Sequence, residues 1–344
     1  MSRGLRAGES RSAPVSRGLR ATQRRYRSTV TFPPTPRPLS DSRVRLGRRG
    51  FLLASGAVVL AACGSDEKSG SGASTSGSSA DTWSSDPSAT APEGGYSLAP
   101  RFAREIIVPG ESRMPFSLAS NQALLSDGPN TLTGRIVDSS NKVVVPTITA
   151  KKRRVNEGIV YWDFHPTLTA VGEYTLFIDG GNADGAAISV ADPATVKVPY
   201  PGQQLPPFDT PTTAKPGGVN PICTRLDGGP CPFHSITLSD ALKQGKPVAY
   251  LIGTPAHCQF GTCAPGLEFL INSVKRLGDK VVAVHAEVYT DDTTTTTAPA
   301  VDAYHLTGEP DLWLTDKSGT IVTRLEGAWD QSELDETFDR ILAG

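Results

Sequence analysis

Apolar positions along this chain follow more than one rhythm, and each predicts a different element. Residues 248–252, Val-Ala-Tyr-Leu-Ile, form a short continuous apolar run that stops at Gly253-Thr254-Pro255, the pattern of a strand buried on both faces. Beyond the turn, Leu267, Leu270, Ile271, Val274 and Leu277 recur at helical spacing and predict a helix over 266–277. The flanking segments continue in the same style. A helix over 236–244 has Thr237 or Ser239 as its N-cap and ends at Gly245-Lys246-Pro247. A second strand runs over 280–289, a loop over 291–298 and a short helix over 300–306. A hairpin joins 312–314 to 320–325 through Lys317-Ser318-Gly319. A last helix spans 331–342 with Leu334, Phe338, Ile341 and Leu342 inward. The predicted order over 221–344 is α-β-α-β-α-β-β-α.

Upstream, the period shortens to two. Strands are expected at 105–108, 131–138, 143–145, 159–164, 172–178, 186–190 and 195–198, with turns at Asp127-Gly128-Pro129, Ser139-Ser140-Asn141 and Gly180-Gly181-Asn182. So many short strands in about a hundred residues predict a β-sandwich over 97–199. Gly172-Glu173-Tyr174 resembles the tyrosine corner of immunoglobulin-like domains, which would make Trp162 a core residue. The segment holds no cysteine, so it has no inter-sheet disulfide. His165, beside Pro166, reads as a strand-end residue. Residues 200–220 are Pro-rich and predict a semi-rigid connector. The fold class expected is therefore multidomain, an all-β sandwich followed by an α/β domain.

Charge separates the two ends. Of 34 Lys+Arg and 35 Asp+Glu in 344 residues, the first 62 positions hold 13 Arg against Glu9 and Asp41. That leaves 63–344 with 21 basic and 33 acidic residues, a net of −12, which argues against nucleic acid as a partner. The one basic cluster there, Lys151-Lys152-Arg153-Arg154, reads as a solvated strand end or loop. Within 46–62, Arg48-Arg49 precedes an apolar stretch from Phe51 to Ala62 that is too short to span a bilayer. Leu60-Ala61-Ala62-Cys63-Gly64 resembles the lipobox of bacterial lipoproteins, and Arg48-Arg49-Gly50-Phe51-Leu52 resembles a twin-arginine export signal. The resemblance implies a cleaved signal peptide, lipid on Cys63 and a cell-membrane location on the extracytoplasmic face. Residues 1–45 are Arg-, Ser- and Pro-rich, either disordered or upstream of the true start, and 63–96 predict a flexible linker.

The remaining four cysteines lie in the last domain. Cys258 and Cys263 stand between the strand and the helix at C-x4-C spacing. Residues five apart in an ideal helix have Cα atoms about 8–9 Å apart, beyond the roughly 7 Å that a disulfide spans. A bond between them therefore requires Cys258 to sit in the preceding loop, with Thr262 as N-cap, Cys263 in the first turn and Pro265 where proline is tolerated. Strand, cysteine turn and helix in this order resemble the reactive unit of the thioredoxin family, and Gly308-Glu309-Pro310-Asp311-Leu312-Trp313-Leu314 is similar to that family's segment with a cis-proline before an antiparallel strand. The resemblance covers about 221–344 and implies thiol–disulfide exchange with a protein partner and Pro310 against the pair; His257, beside Cys258, reads either as polarising a thiol or as an exposed bystander.

The motif departs from the family's Trp-Cys-x-x-Cys, and two registers remain open. Counting from the strand places Cys258 at the family's nucleophile. Aligning Thr262-Cys263-Ala264-Pro265 with Trp-Cys-Gly-Pro places Cys263 there, with Gly266 in the position of its resolving partner. Cys223 and Cys231, at C-x7-C spacing across Asp227-Gly228-Gly229-Pro230, are expected as a structural disulfide in an oxidising compartment. His234 follows three residues on, but the spacing does not resemble a zinc motif, so neither metal nor cofactor is expected. His285 reads as a buried neutral histidine. Two other readings stand beside exchange: a non-enzymatic binding module whose disulfides are structural, and Cu(I) handling by thiolates with His257 or His305 as a further ligand.

Overall fold

The computed structural model describes residues 91–103 and 106–344, which fall within one compact unit. The expected signal peptide, Cys63, most of the linker and part of the 105–108 strand lie outside the described residues. No helix among the described residues is long and apolar enough to cross a membrane.

The first part is all β. Its strands are β1 (Ser97–Pro100), β2 (Gly110–Glu111), β3 (Met114–Ser120), β4 (Ala123–Leu124), β5 (Thr131–Asp138), β6 (Val143–Asn156), β7 (Ile159–Phe164), β8 (Thr167–Leu168), β9 (Gly172–Ile178) and β10 (Ala186–Val190). They run in the order β1-β3-β7-β6-β5-β9-β10, with β4 added to β3 and β2 paired with β8. One long strand, β6, serves two halves: Val143 to Lys151 pair with β5, and Lys152 to Asn156 pair with β7. The halves share a core in which Phe116, Trp162 and Phe164 meet Ile136, Leu176 and Ile188. Trp162 is fully buried, and its indole N–H donates to the Pro129 carbonyl at 3.0 Å. The Tyr174 hydroxyl donates back to the Ala170 carbonyl at 2.8 Å, which ties the start of β9 to the corner before it.

Four strands match the periodicity to the residue: β5, β7, β9 and β10. Strand β6 runs well past the expected 143–145, because Pro146 falls in a register shift of the β5–β6 pair, where a missing N–H costs no ladder bond. The expected strand at 195–198 is instead a turn closed by Thr195, whose N–H and hydroxyl both bond the Asp192 carbonyl. Of the 105–108 strand, residues 106–108 are not extended in a ladder.

The second part contains α1 (Leu238–Leu242), β11 (Val248–Ile252), α2 (Cys263–Leu277), β12 (Val282–Ala286), α3 (Pro299–Tyr304), β13 (Asp311–Thr315), β14 (Ile321–Glu326) and α4 (Gln331–Ala343). The sheet order is β12-β11-β13-β14, parallel between β11 and β12 and antiparallel elsewhere. Both faces are covered, which is why β11 is apolar at every position. Ala249 and Leu251 pack toward α2 and α4 with Leu267, Leu270, Leu334 and Phe338. Val248, Tyr250 and Ile252 face α1 and α3 with Leu238, Ala300 and Tyr304. Leu342 is exposed rather than inward, since α4 ends one residue beyond it.

The connector over 200–220 is held against the second part: the Gly202 N–H donates to the Ile321 carbonyl, the Ile321 N–H donates to the Gln203 carbonyl, and Leu205 is buried in the second core. The basic cluster departs from its expectation at one residue: Lys151 and Arg154 are exposed, as a solvated strand would have them, but Arg153 is not. Arg153 is nearly buried and pairs with Asp163, Asp330 and Glu336, so it joins the sandwich to α4. Beside it, Arg113 pairs with Glu333, both side chains 5% exposed, while the Tyr161 hydroxyl donates to the same carboxylate. Gly327 (φ +71°) lets β14 pass the sandwich, because a Cβ there would overlap the Arg101 carbonyl.

Candidate functional site

Cys258 and Cys263 are joined as a disulfide with their Cα atoms 5.9 Å apart, and α2 begins at Cys263. The loop doubles back, as the reach of a disulfide requires, so that both sulfurs meet at the helix start. The two sulfurs are not equivalent. Cys258, in the loop, is half-buried, whereas Cys263 is 1% exposed. The backbone N–H of Cys263 donates to Cys258 Sγ at 3.3 Å, so the free N–H end of α2 points at the outer sulfur. Thr262 occupies the cap position without capping through its side chain; its buried hydroxyl has no partner among the described residues. Cys258 takes over the role of satisfying the first turn.

Beneath the pair lie Gly253 and Pro310. A Cβ on Gly253 would stand 3.2 Å from Pro310 Cβ and 3.7 Å from Cys263 Cβ, so the three meet at the end of β11, with Pro310 behind a cis peptide. The residue before that proline supplies a group the sequence reading overlooked. Glu309 accepts from the Thr254 N–H at 2.7 Å through Oε2, and the same oxygen lies 3.5 Å from Cys263 Sγ. Burial raises the Glu309 carboxyl to about 7, placing its titration at neutral pH. His257 does not face the sulfurs as expected. Its Nε2 lies 3.1 Å from Asp292 Oδ1 in the loop after β12, and its ring stands edge-on to Tyr289.

The loop exposes one large apolar side chain beside the polar Gln259. Phe260 is 55% exposed, between the cysteines in sequence, and Gly261 (φ +67°) turns the chain under it, where Ile159 of the sandwich comes into contact range. A cavity of about 530 Å³ elsewhere in the molecule is lined by Phe102, Arg113, His165, Arg324 and Glu326 among others. It contains no cysteine and lies away from the disulfide.

The other two cysteines do not form the expected structural disulfide. Cys223 and Cys231 are unbonded and buried, not bridged. Their sulfurs are both turned toward His285 of β12, with Nδ1 at 3.7 Å from Cys223 Sγ and 3.4 Å from Cys231 Sγ. His234, from the short 3-10 turn Pro232–His234, brings Nε2 to 3.1 Å from the same Nδ1. The hydrogen bond between the thiols pulls Cys223 below its ordinary value and pushes Cys231 above it; burial lowers His234. The Cys223–Cys231–His234 spacing was visible in the sequence, but His285 is 51 residues beyond His234 and reached it only through the fold. His257 and His305, the histidines considered for copper, are in neither group; His305 is exposed at the end of α3.

No family model matches this chain, and no curated protein matches it. A solved structure under the name thiol:disulfide interchange protein DsbE from Chlorobium tepidum is similar at 18% identity. It covers 42% of this chain and 95% of that one with a TM-score of 0.27, too low to bear on function.

Proposed function

We propose that this chain is an exported, lipid-anchored protein whose C-terminal part is a thioredoxin-like domain exchanging disulfides with a protein partner through Cys258 and Cys263. The observation that carries the reading is the N–H at the start of α2 donating to the more exposed sulfur, with a buried carboxyl against the other. Those two contacts assign different roles. As a thiolate, Cys258 is favoured by the helix end and is the sulfur a partner reaches. The register counted from the strand is therefore the one we adopt, with Cys263 resolving.

The exchange balances as follows. Cys258 thiolate attacks one sulfur of the partner's disulfide; that S–S bond breaks, a Cys258–partner bond forms, and the second partner sulfur leaves as a thiolate that takes up a proton. Cys263 then gives its proton to Glu309 and attacks Cys258 Sγ, forming the intramolecular bond and expelling the partner's first sulfur. Two electrons pass from protein to partner, and the reverse sequence oxidises a partner dithiol. Phe260 beside Cys258 offers an apolar contact for an unfolded or extended polypeptide. The sandwich, meeting the loop at Ile159, forms one wall of the approach.

The pH dependence tests the assignment. In the reduced protein, Cys258 should alkylate faster than a model thiol at neutral pH. Resolution of a Cys258 mixed disulfide should speed up as pH rises through about 7, when Glu309 becomes a base. In Glu309→Gln that limb disappears and resolution slows about 10²-fold. Because the folded carboxyl titrates above its ordinary value, the stability it contributes is present at low pH and lost as pH rises through about 7. The Gln variant should therefore be more stable than the parent at pH 8. An alkylation rate no faster than the model thiol's overturns the exchange reading in favour of a structural disulfide.

Export and lipid on Cys63 rest on the Arg48-Arg49 pair, the apolar run and the lipobox-like end. The Cys258–Cys263 disulfide is also what an oxidising compartment permits. Mass spectrometry of the membrane fraction should find a diacylated peptide beginning at Cys63; an unmodified peptide crossing Ala62–Cys63 refutes it.

A further inference from the structure

We propose that Cys223, Cys231, His234 and His285 form a structural zinc site that ties the segment ahead of α1 to the edge of the four-stranded sheet. The four donor atoms all lie within 4.8 Å of one another, and all four residues are buried. A tetrahedral zinc ion, with bonds of about 2.3 Å to sulfur and 2.0–2.1 Å to nitrogen, spreads its ligands about 3.6 Å apart for a sulfur–nitrogen pair and about 3.3 Å for a nitrogen–nitrogen pair. The separations around His285 Nδ1 are 3.7 and 3.4 Å to the two sulfurs and 3.1 Å to His234 Nε2. Three of the six ligand–ligand separations thus match one tetrahedron to within about 0.2 Å, and the other three are no longer than 4.8 Å.

Hydrogen bonding alone accounts poorly for this convergence. His285 Nε2 lies 2.9 Å from the Gly253 carbonyl, which can only accept, so Nε2 carries a proton, and in the neutral ring a metal would need, Nδ1 presents its lone pair. One lone pair accepts one good hydrogen bond, yet two sulfurs and His234 Nε2 all lie within 3.7 Å of it. A cation at their centre engages all of them. The Nε2–H to carbonyl bond is also the outer contact that orients metal-binding histidines. Charge agrees with this reading. The surroundings are the apolar core of Leu251, Leu267, Leu312 and Phe233, where two unpaired thiolates would be costly and a dication with two thiolates is neutral. With two sulfurs and two imidazoles the shell is closed, as in structural rather than catalytic zinc sites.

The site lies close to the exchange pair without sharing a residue with it. Thr224, next to Cys223, bonds Glu287 through its N–H at 2.6 Å and accepts from the Ala256 N–H at 3.2 Å; its hydroxyl lies 3.2 Å from that of Thr254. An ion holding Cys223 therefore holds the loop that leads to Cys258. The inference does not depend on disulfide exchange, and its test removes that pair.

The full chain carrying Cys258→Ser and Cys263→Ser, chelator-washed under reductant, is titrated with Co²⁺ and then Zn²⁺. The expected result is one equivalent of Co²⁺ with tetrahedral visible bands and thiolate charge transfer, displaced by Zn²⁺. In that background Cys231→Ser and His285→Ala should each lose at least tenfold in affinity. Zinc content of the unmutated chain as purified gives the same answer if either variant fails to fold: one ion per chain, with Cys223 and Cys231 unreactive until the ion is chelated. No Co²⁺ uptake, uptake of Cu(I) alone, or a Cys223–Cys231 disulfide in non-reducing peptide maps would overturn the site.

Discussion

With Cys263 replaced by serine, the chain is expected to stop turning over and to accumulate a covalent adduct with its partner through Cys258. The half-exposed Cys258 keeps the helix N–H that favours its thiolate, so the first bond still forms. The sulfur that would expel the partner, buried at the start of α2 against Glu309, is gone. Cys258→Ser should behave differently: no adduct, and exchange at background, because Cys263 is 1% exposed and no partner sulfur can reach it in line. The measurement is non-reducing electrophoresis of each variant after incubation with an unfolded disulfide-bearing protein, followed by mapping of the joined peptides. Adducts forming through Cys263 in the Cys258→Ser chain would reverse the assigned roles. Failure of both variants to form any adduct would favour the binding-module reading, in which the bridge only holds the loop.

Glu333→Ala should be the most destabilising single change at the junction of the two parts. Arg113 and Glu333 are both nearly excluded from water, and burial is the largest influence on the guanidinium, opposed by the carboxylate. Removing the carboxylate strands the arginine and leaves the Tyr161 hydroxyl without its acceptor. Breaking such a pair on one side costs about 3–5 kcal/mol. For a body of this size that corresponds to a fall in melting temperature on the order of 10 °C. Arg113 also donates to the Ala328 and Glu326 carbonyls, so Arg113→Ala should cost a similar amount. Replacing both partners with apolar residues of similar volume should recover much of the loss, which distinguishes a stranded charge from lost packing. The exposed Lys243–Asp240 pair is the control, and breaking it should leave the melting temperature unchanged. A shift no larger than the control's would show that water reaches the pair.

Local order was legible in the sequence because it depends on spacing within a few residues. Strand β11 announced itself by a continuous apolar run, since both its faces are covered by helices. Helix α2 announced itself by the recurrence of Leu267, Leu270 and Leu277, all buried. The length of a disulfide and the rise of a helix were enough to place Cys258 in the loop and Cys263 at the helix start. Strands β5, β7, β9 and β10 followed from alternation and turn residues alone.

What spacing did not supply is which side chains meet across the fold. Cys223 and Cys231 looked like a bridge because they are eight residues apart and sulfur pairs with sulfur by default. Pairing β12 parallel to β11 brings His285 over them and changes their chemistry. Glu309 read as the residue before a proline; the antiparallel arrival of β13 beside β11 makes it the acid next to Cys263. Arg153 read as part of a solvated charge run until α4, nearly two hundred residues later, covered it with Asp330 and Glu336. Periodicity tells each residue whether to face water or core, a one-body preference set by hydration. The identity of its neighbour is a two-body property, decided only when sheet order and docking bring distant segments within a few ångströms, and the chemistry of both cysteine pairs depends on it.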